Sequence, residues 1–185
     1  MRKLPHEAND FIIHNGVYVR DFDAMYQAIE DPWNQSQNFS NDLLTNSALW
    51  LIRRLFSNPS RLAHDILDIG CGQGYMAAAL IKMTGDSTTN YVGTDISPNV
   101  INKALANISE GLRNQIQFHV DDIRNTKDEF LNRFDFVFSG KTLYYVAPEI
   151  DLALHNIERY LIPGGIFAFT YNQGVDAFYK KMANL

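Results

Sequence analysis

From residue 65 onward, short apolar runs of strand length alternate with segments whose apolar positions recur at helical spacing; residues 1–64 lack that alternation. The runs 65–69, 91–94, 116–120, 134–139 and 166–170 read as five strands. Between the second and third, Val100, Ile101, Ala104, Leu105 and Ile108 mark one face of a helix, with Ser97 as N-cap and Pro98 at its first turn. A further helix is expected after Pro148, with Ile150, Leu154, Ile157 and Leu161 on one side, ending before the "PGG" of residues 163–165. Upstream, Leu43, Leu44, Ser47, Ala48, Leu51, Ile52 and Leu55 predict a helix that leads into the first strand and covers the sheet.

Parallel neighbours need a crossover, so this order predicts an α/β fold: a Rossmann-like, three-layer α/β/α arrangement with helices on both faces of a parallel sheet. The chain divides into two units. Residues 1–64 form an N-terminal lid or cap with its covering helix, and residues 65–185 form the ligand-binding domain. The stretch "DFDAMYQAIEDPWNQSQNFSN", rich in Asn, Gln and aromatics and interrupted by Pro32, reads as the lid.

Composition narrows the function. A chain of 185 residues that is 46% hydrophobic holds a full core, which excludes disorder. A net charge of -5 gives no electrostatic attraction to phosphate backbones, so nucleic acid is not expected as a partner. The lone Cys71 cannot form an internal disulfide, and no metal-ligand spacing joins it to His6, His14, His64, His119 or His155; a reducing, cytoplasmic setting fits and no metal is expected. The opening "MRKLPHEAND" carries no apolar signal region, and no run is long enough to span a membrane.

The chemistry centres on "DILDIGCGQG", residues 65–74, where Gly70, Gly72 and Gly74 come directly after the first strand. In a doubly wound sheet, ligands sit at the carboxyl ends of the strands, and glycine lets ligand atoms approach the main chain there. Asp68 precedes the turn and is expected to face the same crevice. The next strand ends in "GTDIS", which puts Asp95 21 positions past Gly74, where an acid accepts ribose hydroxyls. A dinucleotide fingerprint needs glycine or alanine at residue 75, and Tyr75 stands there instead.

The pair "ILDIGCGQG" and "VGTDIS" resembles the first two motifs of class I S-adenosylmethionine-dependent methyltransferases. The resemblance runs from about residue 65 to 171: "FHVDDI" resembles the family's third strand, "FDFVFSG" the fourth and "LIPGGIFAFT" the lead-in to the fifth. It implies S-adenosylmethionine as cofactor and S-adenosylhomocysteine as product. The methionine carboxylate would meet the amides of Gly70, Cys71, Gly72 and Gly74, its ammonium Asp68 or a main-chain carbonyl, and the ribose Asp95 beside Ile96. Asp122 with Ile123 would take the adenine, Asp121 being the offset alternative; Ser139 and Trp33 complete the implied pocket. Cys71 also reads simply as a small residue in a tight loop, Trp33 as a hydrophobic plug, and Lys141 as a surface charge.

The residues just past the fourth strand narrow the acceptor. "SGKT" lacks the carboxylates of metal-dependent O-methyltransferases and the Pro-Pro-aromatic motif of enzymes that methylate DNA or protein amides. A small-molecule amine or hydroxyl is therefore expected. The segments "LYYVAPEI" and "EDPWNQS" resemble the nodulation-factor N-methyltransferases that act on amino sugars, which implies an amino-sugar acceptor. Tyr144, Tyr145 and His155 are the candidate catalytic groups, His155 reading as a surface residue before it reads as a base. Family members usually continue past the fifth strand into a further strand pair, whereas here "NQGVDAFYKKMANL" remains. The exposed sheet edge would then need the N-terminal segment or a second subunit, as a homodimer, to cover it. A non-catalytic cofactor-binding module and a nicotinamide-dependent reductase stay open as alternatives.

Overall fold

The computed structural model describes residues 6–15, 17–56, 64–84 and 88–170. In chain order these form α1 (His6–Asp10), a hairpin of β1 (Ile13–His14) and β2 (Val17–Tyr18), α2 (Phe22–Ala28), α3 (Gln35–Asn38) and α4 (Leu43–Phe56). Next come β3 (Asp65–Ile69), α5 (Tyr75–Thr84), β4 (Asn90–Asp95), α6 (Pro98–Asn107), β5 (Ile116–Val120), β6 (Phe134–Ser139), α7 (Ile150–Tyr160) and β7 (Leu161–Phe169). A 3-10 segment, Leu143–Glu149, leads into α7.

The five long strands pair in parallel in the order β5-β4-β3-β6-β7. β3 lies in the middle, and four of its five residues are buried, as expected of a strand covered on both faces. Leu67, Ile69, Val92 and Val137 pack against Ala153, Ile157 and Tyr160 of α7. On the opposite face, Ile66, Tyr91, Phe136 and Phe138 pack against Ala48, Ile52 and Phe56 of α4 and Ala77, Leu80 and Ile81 of α5. This is the three-layer α/β/α sheet. No further strand beyond β7 is evident among the described residues, and the tail after residue 170 lies outside them.

The helical faces differ from expectation in detail. Leu105 and Leu154 are largely exposed, and the buried stripe of α7 is Ala153, Asn156, Ile157 and Tyr160. Buried Asn156 is tolerated because its amide donates to Ile123 O at 2.7 Å and accepts from Thr126 Oγ1 at 2.9 Å. Leu43 is 80% exposed at the start of α4, while the predicted Ala48 and Ile52 do turn inward. α7 stops at Tyr160, ahead of the "PGG": Leu161 already pairs with Phe134, and the glycines sit in an irregular stretch before the regular pairing resumes at Ile166.

The N-terminal segment is held over the carboxyl ends of the strands by α6. Ser97 caps that helix, its Oγ accepting from Val100 N at 3.2 Å, and Pro98 fixes the first turn. Asp23 of α2 reinforces the same end: it accepts from Ser97 Oγ at 2.7 Å, from Asn99 N at 3.1 Å and from Asn99 Nδ2 at 3.0 Å. These bonds, Ser97's foremost, hold its carboxyl below the usual range. One helical turn on, the Lys103 ammonium donates to the carbonyls of Tyr26, Ile29 and Glu30, closing the C-terminal end of α2. Removing that ammonium should release α2 without loosening the sheet. In Lys103→Met we expect amide exchange over residues 25–29 to quicken about tenfold while the β3 and β4 amides exchange as in the wild type, as read by hydrogen-exchange mass spectrometry.

Candidate functional site

Chain order reverses direction at β3, with β4 on one side and β6 on the other, so a crevice opens at the carboxyl ends of these strands. A cavity of about 300 Å³ fills it. Its floor includes Ile69, Gly70, Gly72, Thr94 and Asp95; Asp121, Asp122 and Ile123 line one end; Phe22, Tyr26, Trp33, Tyr144 and Tyr145 give it aromatic walls.

The turn after β3 is shaped by its glycines. Gly70 has φ +72°, and a Cβ there would lie 2.1 Å from Thr142 Oγ1, so no other residue lets the β3 and β6 ends meet. Gly72, at φ +54°, faces the N-terminal segment: a Cβ would lie 3.4 Å from Gln35 Oε1 and 3.6 Å from the Tyr26 hydroxyl. Gly74 serves packing, lying beneath Phe118 and Ala104 outside the cavity lining.

The backbone amides of this turn do not form the anion cradle expected from the sequence. Gly70 N and Cys71 N both donate to Thr94 O, at 2.8 and 2.9 Å, and Gly74 N donates to Cys71 O at 3.0 Å. Gly72 N donates to Asp95 Oδ2 at 3.1 Å. The turn instead presents a surface without side chains.

Asp95 is held in place by backbone donors, among them Gly72 N on Oδ2 and Ser97 N on Oδ1, each at 3.1 Å. With these donors and Ile96 engaged, the carboxylate still keeps acceptor capacity for a ligand hydroxyl. Burial pushes its carboxyl up to about 6, although hydrogen bonds from Ser97, Gly72 and Ile96 pull the other way. Asp68 departs from expectation. Strand alternation sends Ile69 into the cavity and Asp68 to the opposite face, where it is 2% exposed and accepts from the Tyr91 hydroxyl at 2.7 Å. Burial pushes its carboxyl up to about 7 against the pull of that bond, and nearby Asp95 adds to the rise.

Other expected residues divide in the same way. Ile96, Asp121, Asp122, Ile123, Trp33, Tyr144 and Tyr145 line the cavity. Cys71 is buried beside Gly93, and burial pushes its thiol well up, which suits a small loop residue and not a reactive one. Ser139 is also buried, its hydroxyl donating to Ile69 O at 3.2 Å, so it ties β6 to β3 behind the cavity. His155 lies on the exposed face of α7 and does not line the cavity, since three-residue spacing puts Ala153 and Asn156 inward and leaves it outside. Tyr145 is buried enough for its phenol to rise well above its ordinary range, and the Tyr144 phenol is raised for the same reason; neither is a base near neutral pH.

A charged network that no sequence motif marks crosses the cavity rim. Arg20, at φ +58°, donates to both oxygens of Glu149, at 2.8 and 3.1 Å. Arg124 grips both oxygens of Asp122, its Nη2 at 2.5 Å, and its Nη1 lies 3.6 Å from Glu149. Burial pushes the Asp122 carboxyl up, but the Arg124 bonds outweigh it and hold it below the usual range. The Tyr18 hydroxyl donates to Tyr145 O at 2.6 Å beside this network. Gln35 is unmarked as well: its Oε1 is buried with no hydrogen-bond partner. No helical or strand period marks these positions. Lys141, read as a surface charge, instead lines the cavity and pairs with Asp42 at 2.6 Å.

This arrangement suits S-adenosylmethionine. Gln35 Oε1 lacks a donor, and Asp95 lies where burial disfavours its charge, so a ligand with an ammonium, a cationic sulfur and ribose hydroxyls would satisfy both. Asp122 enters with both oxygens already engaged by Arg124, which leaves the half-buried Asp121 as the less committed acid at that end.

Comparison with known proteins agrees with this geometry. A family profile described as a methyltransferase domain matches residues 61–184. A malonyl-[acyl-carrier protein] O-methyltransferase of Ilyobacter polytropus is 26% identical over 157 residues, covering 81% of this chain and 58% of that protein. The chain spans 44% to 58% of the lengths of the first four curated relatives. Among solved structures, the sugar N-methyltransferase KedS8 from Streptoalloteichus superposes with a TM-score of 0.59 at 22% identity, over 79% of this chain and 55% of its own. The N-methyltransferase NodS from Bradyrhizobium japonicum gives 0.59 at 19%, over 76% of each chain. At such identities the superpositions show the fold alone. The glycine turn facing Asp95, the parallel sheet and the matched profile together establish that the chain belongs to the class I S-adenosylmethionine-dependent methyltransferase family.

Proposed function

We propose that the chain carries methyl transfer from S-adenosylmethionine to a small-molecule amine, with an amino sugar as the acceptor. The observation that carries the reading is the partnerless Gln35 Oε1, buried opposite Gly72 in a cavity whose floor acid, Asp95, has a raised pKa. Gln35 Oε1 has no donor and Asp95 is buried, and the cofactor brings an ammonium and ribose hydroxyls that would answer them. Asp95 would hold the ribose hydroxyls, Gln35 the ammonium, and Asp121 with Ile123 the adenine.

When bound, S-adenosylmethionine supplies an activated methyl group, so the protein's task is to orient a nucleophile and exclude water. The described residues lining the cavity include no histidine, and burial raises its tyrosines. That favours an acceptor needing no strong base: a free-base amine attacks through its lone pair and then gives its extra proton to water. Trp33 and Tyr145, with ring centroids 5.8 Å apart, and Tyr144, 4.2 Å from Tyr145, wall the cavity and would desolvate that amine. Two of the superposed structures are named as an N-methyltransferase and a sugar N-methyltransferase, which supports the acceptor class. A cytoplasmic home fits the lone buried thiol of Cys71.

Two outcomes test this reading. Ribose hydroxyls need an ionised Asp95, whose carboxyl in the free protein sits at about 6. Calorimetric affinity for S-adenosylhomocysteine should therefore weaken about tenfold from pH 7.5 to pH 5, and Asp95→Asn should bind weakly throughout with a shallower profile. Stability should move the other way. A carboxyl raised on folding contributes stability that is present at low pH and lost as pH rises through about 6, so Asp95→Asn should gain melting temperature relative to wild type between pH 5 and pH 8. Binding that ignores both pH and the substitution would refute the ribose role. At the rim, Glu149→Gln should leave the fold intact but weaken S-adenosylhomocysteine several-fold, mainly through faster dissociation in stopped-flow measurements, because Arg20 loses its bidentate partner.

A further inference from the structure

A second cavity, of about 250 Å³, adjoins the first and shares Trp33, Gln35, Lys141 and Tyr144 with it as a common wall. Its far side comes from the approach to α4 and the end of β7, where Phe39, Asp42, Thr45 and Thr170 line it and do not line the first cavity.

Lys141 organises the wall. It sits just beyond the tip of β6 with φ +60°, a backbone setting that L residues adopt only where their surroundings fix it. Its N–H donates to Thr170 Oγ1 at 2.7 Å, and its ammonium donates to Asp42 Oδ2 at 2.6 Å and lies 3.4 Å from Thr45 Oγ1. Asp42 also accepts from Thr45 N at 2.8 Å and Thr45 Oγ1 at 2.6 Å. Burial pushes its carboxyl up, but Lys141 and Thr45 together hold it below the usual range, so the pair is ionised.

The cavity is thus two-sided. Trp33, Phe39 and Tyr144 offer apolar ring faces, and Lys141, Asp42 and the threonine hydroxyls offer donors and acceptors together. A purely apolar ring would dehydrate the ion pair without replacing its hydrogen bonds. A sugar ring matches both sides, since its C–H face suits aromatic rings and its hydroxyls both donate and accept.

We propose that this second cavity is the acceptor compartment and seats a compact hydroxyl-bearing ring of the sugar type, its hydroxyls read by Lys141, Asp42 and Thr45 and its apolar face covered by Phe39 and Trp33. The assignment rests on the methyltransferase reading of the first cavity and gives its acceptor a place. The shared wall of Trp33, Gln35 and Tyr144 is then where the two ligands meet.

The test uses the full chain saturated with S-adenosylhomocysteine and titrated with D-glucosamine, D-glucose and indole. Binding is followed by calorimetry and by the amide resonances of residues 39–45 and 170. A sugar should bind saturably and shift those resonances, and indole should do neither. Thr45→Val and Phe39→Ala should each weaken the sugar about tenfold, the loss expected for one hydrogen bond or one aromatic face. Both variants should keep the wild-type affinity for S-adenosylhomocysteine, which shows that the fold and the first cavity survive the substitution. The assignment is overturned if neither sugar binds, if indole binds in their place, or if both variants bind sugar as well as the wild type. Failure of S-adenosylhomocysteine to bind would instead refute the reading of the first cavity, and the same sugar titrations on the free protein would then decide the second cavity by themselves.

Discussion

The Asp95 carboxylate, fixed by the amides of Gly72 and Ser97, is the contact on which the site depends. It closes the glycine turn of β3 against the start of α6, so one acid sets the relation between two strand ends and a helix N-terminus. Because Gly72 N donates to Asp95, and Gly70 N and Cys71 N donate to Thr94 O, the turn offers a ligand its bare surface. Its shape comes from positive φ, which only glycine adopts there without strain.

Around this contact the N-terminal segment is fastened at two places by different chemistry. At α6, Asp23 and Lys103 meet the ends of helices, where partial charges of opposite sign await them. At the rim, Arg20, Glu149, Arg124 and Asp122 alternate in sign, so each charge removed from water finds a partner. Gln35 Oε1 stands apart from both as a buried acceptor without a donor. Native structures rarely leave such a group unanswered, and this one lies opposite Gly72.

Much of the fold was legible in the chain. Four of the five strands appear where apolar runs predicted them and the fifth begins earlier, at Leu161, while Ser97 and Pro98 start α6 as expected, because runs of strand type and helix capping are local properties. Less legible was which side of an element faces inward. Leu105 and Leu154 carry the right period for a core and yet face outward, because the neighbouring layer decides how wide a helix's buried stripe is. Likewise the residues of the glycine turn and the acid of β4 could be named, but Asp68 could not be oriented until the strand's alternation was anchored by Ile69 in the cavity.

The sequence by itself determined the order of elements, the glycine turn and the acid facing it, since each depends on residue type and short spacing. Tertiary structure alone decided that Arg20 would meet Glu149 and Lys141 would meet Asp42, pairs separated by 129 and 99 positions. No local period records contacts of that range. They exist only once the sheet has brought the end of β6 beside the start of α4 and the N-terminal hairpin over the rim, and the two cavities are bounded by them.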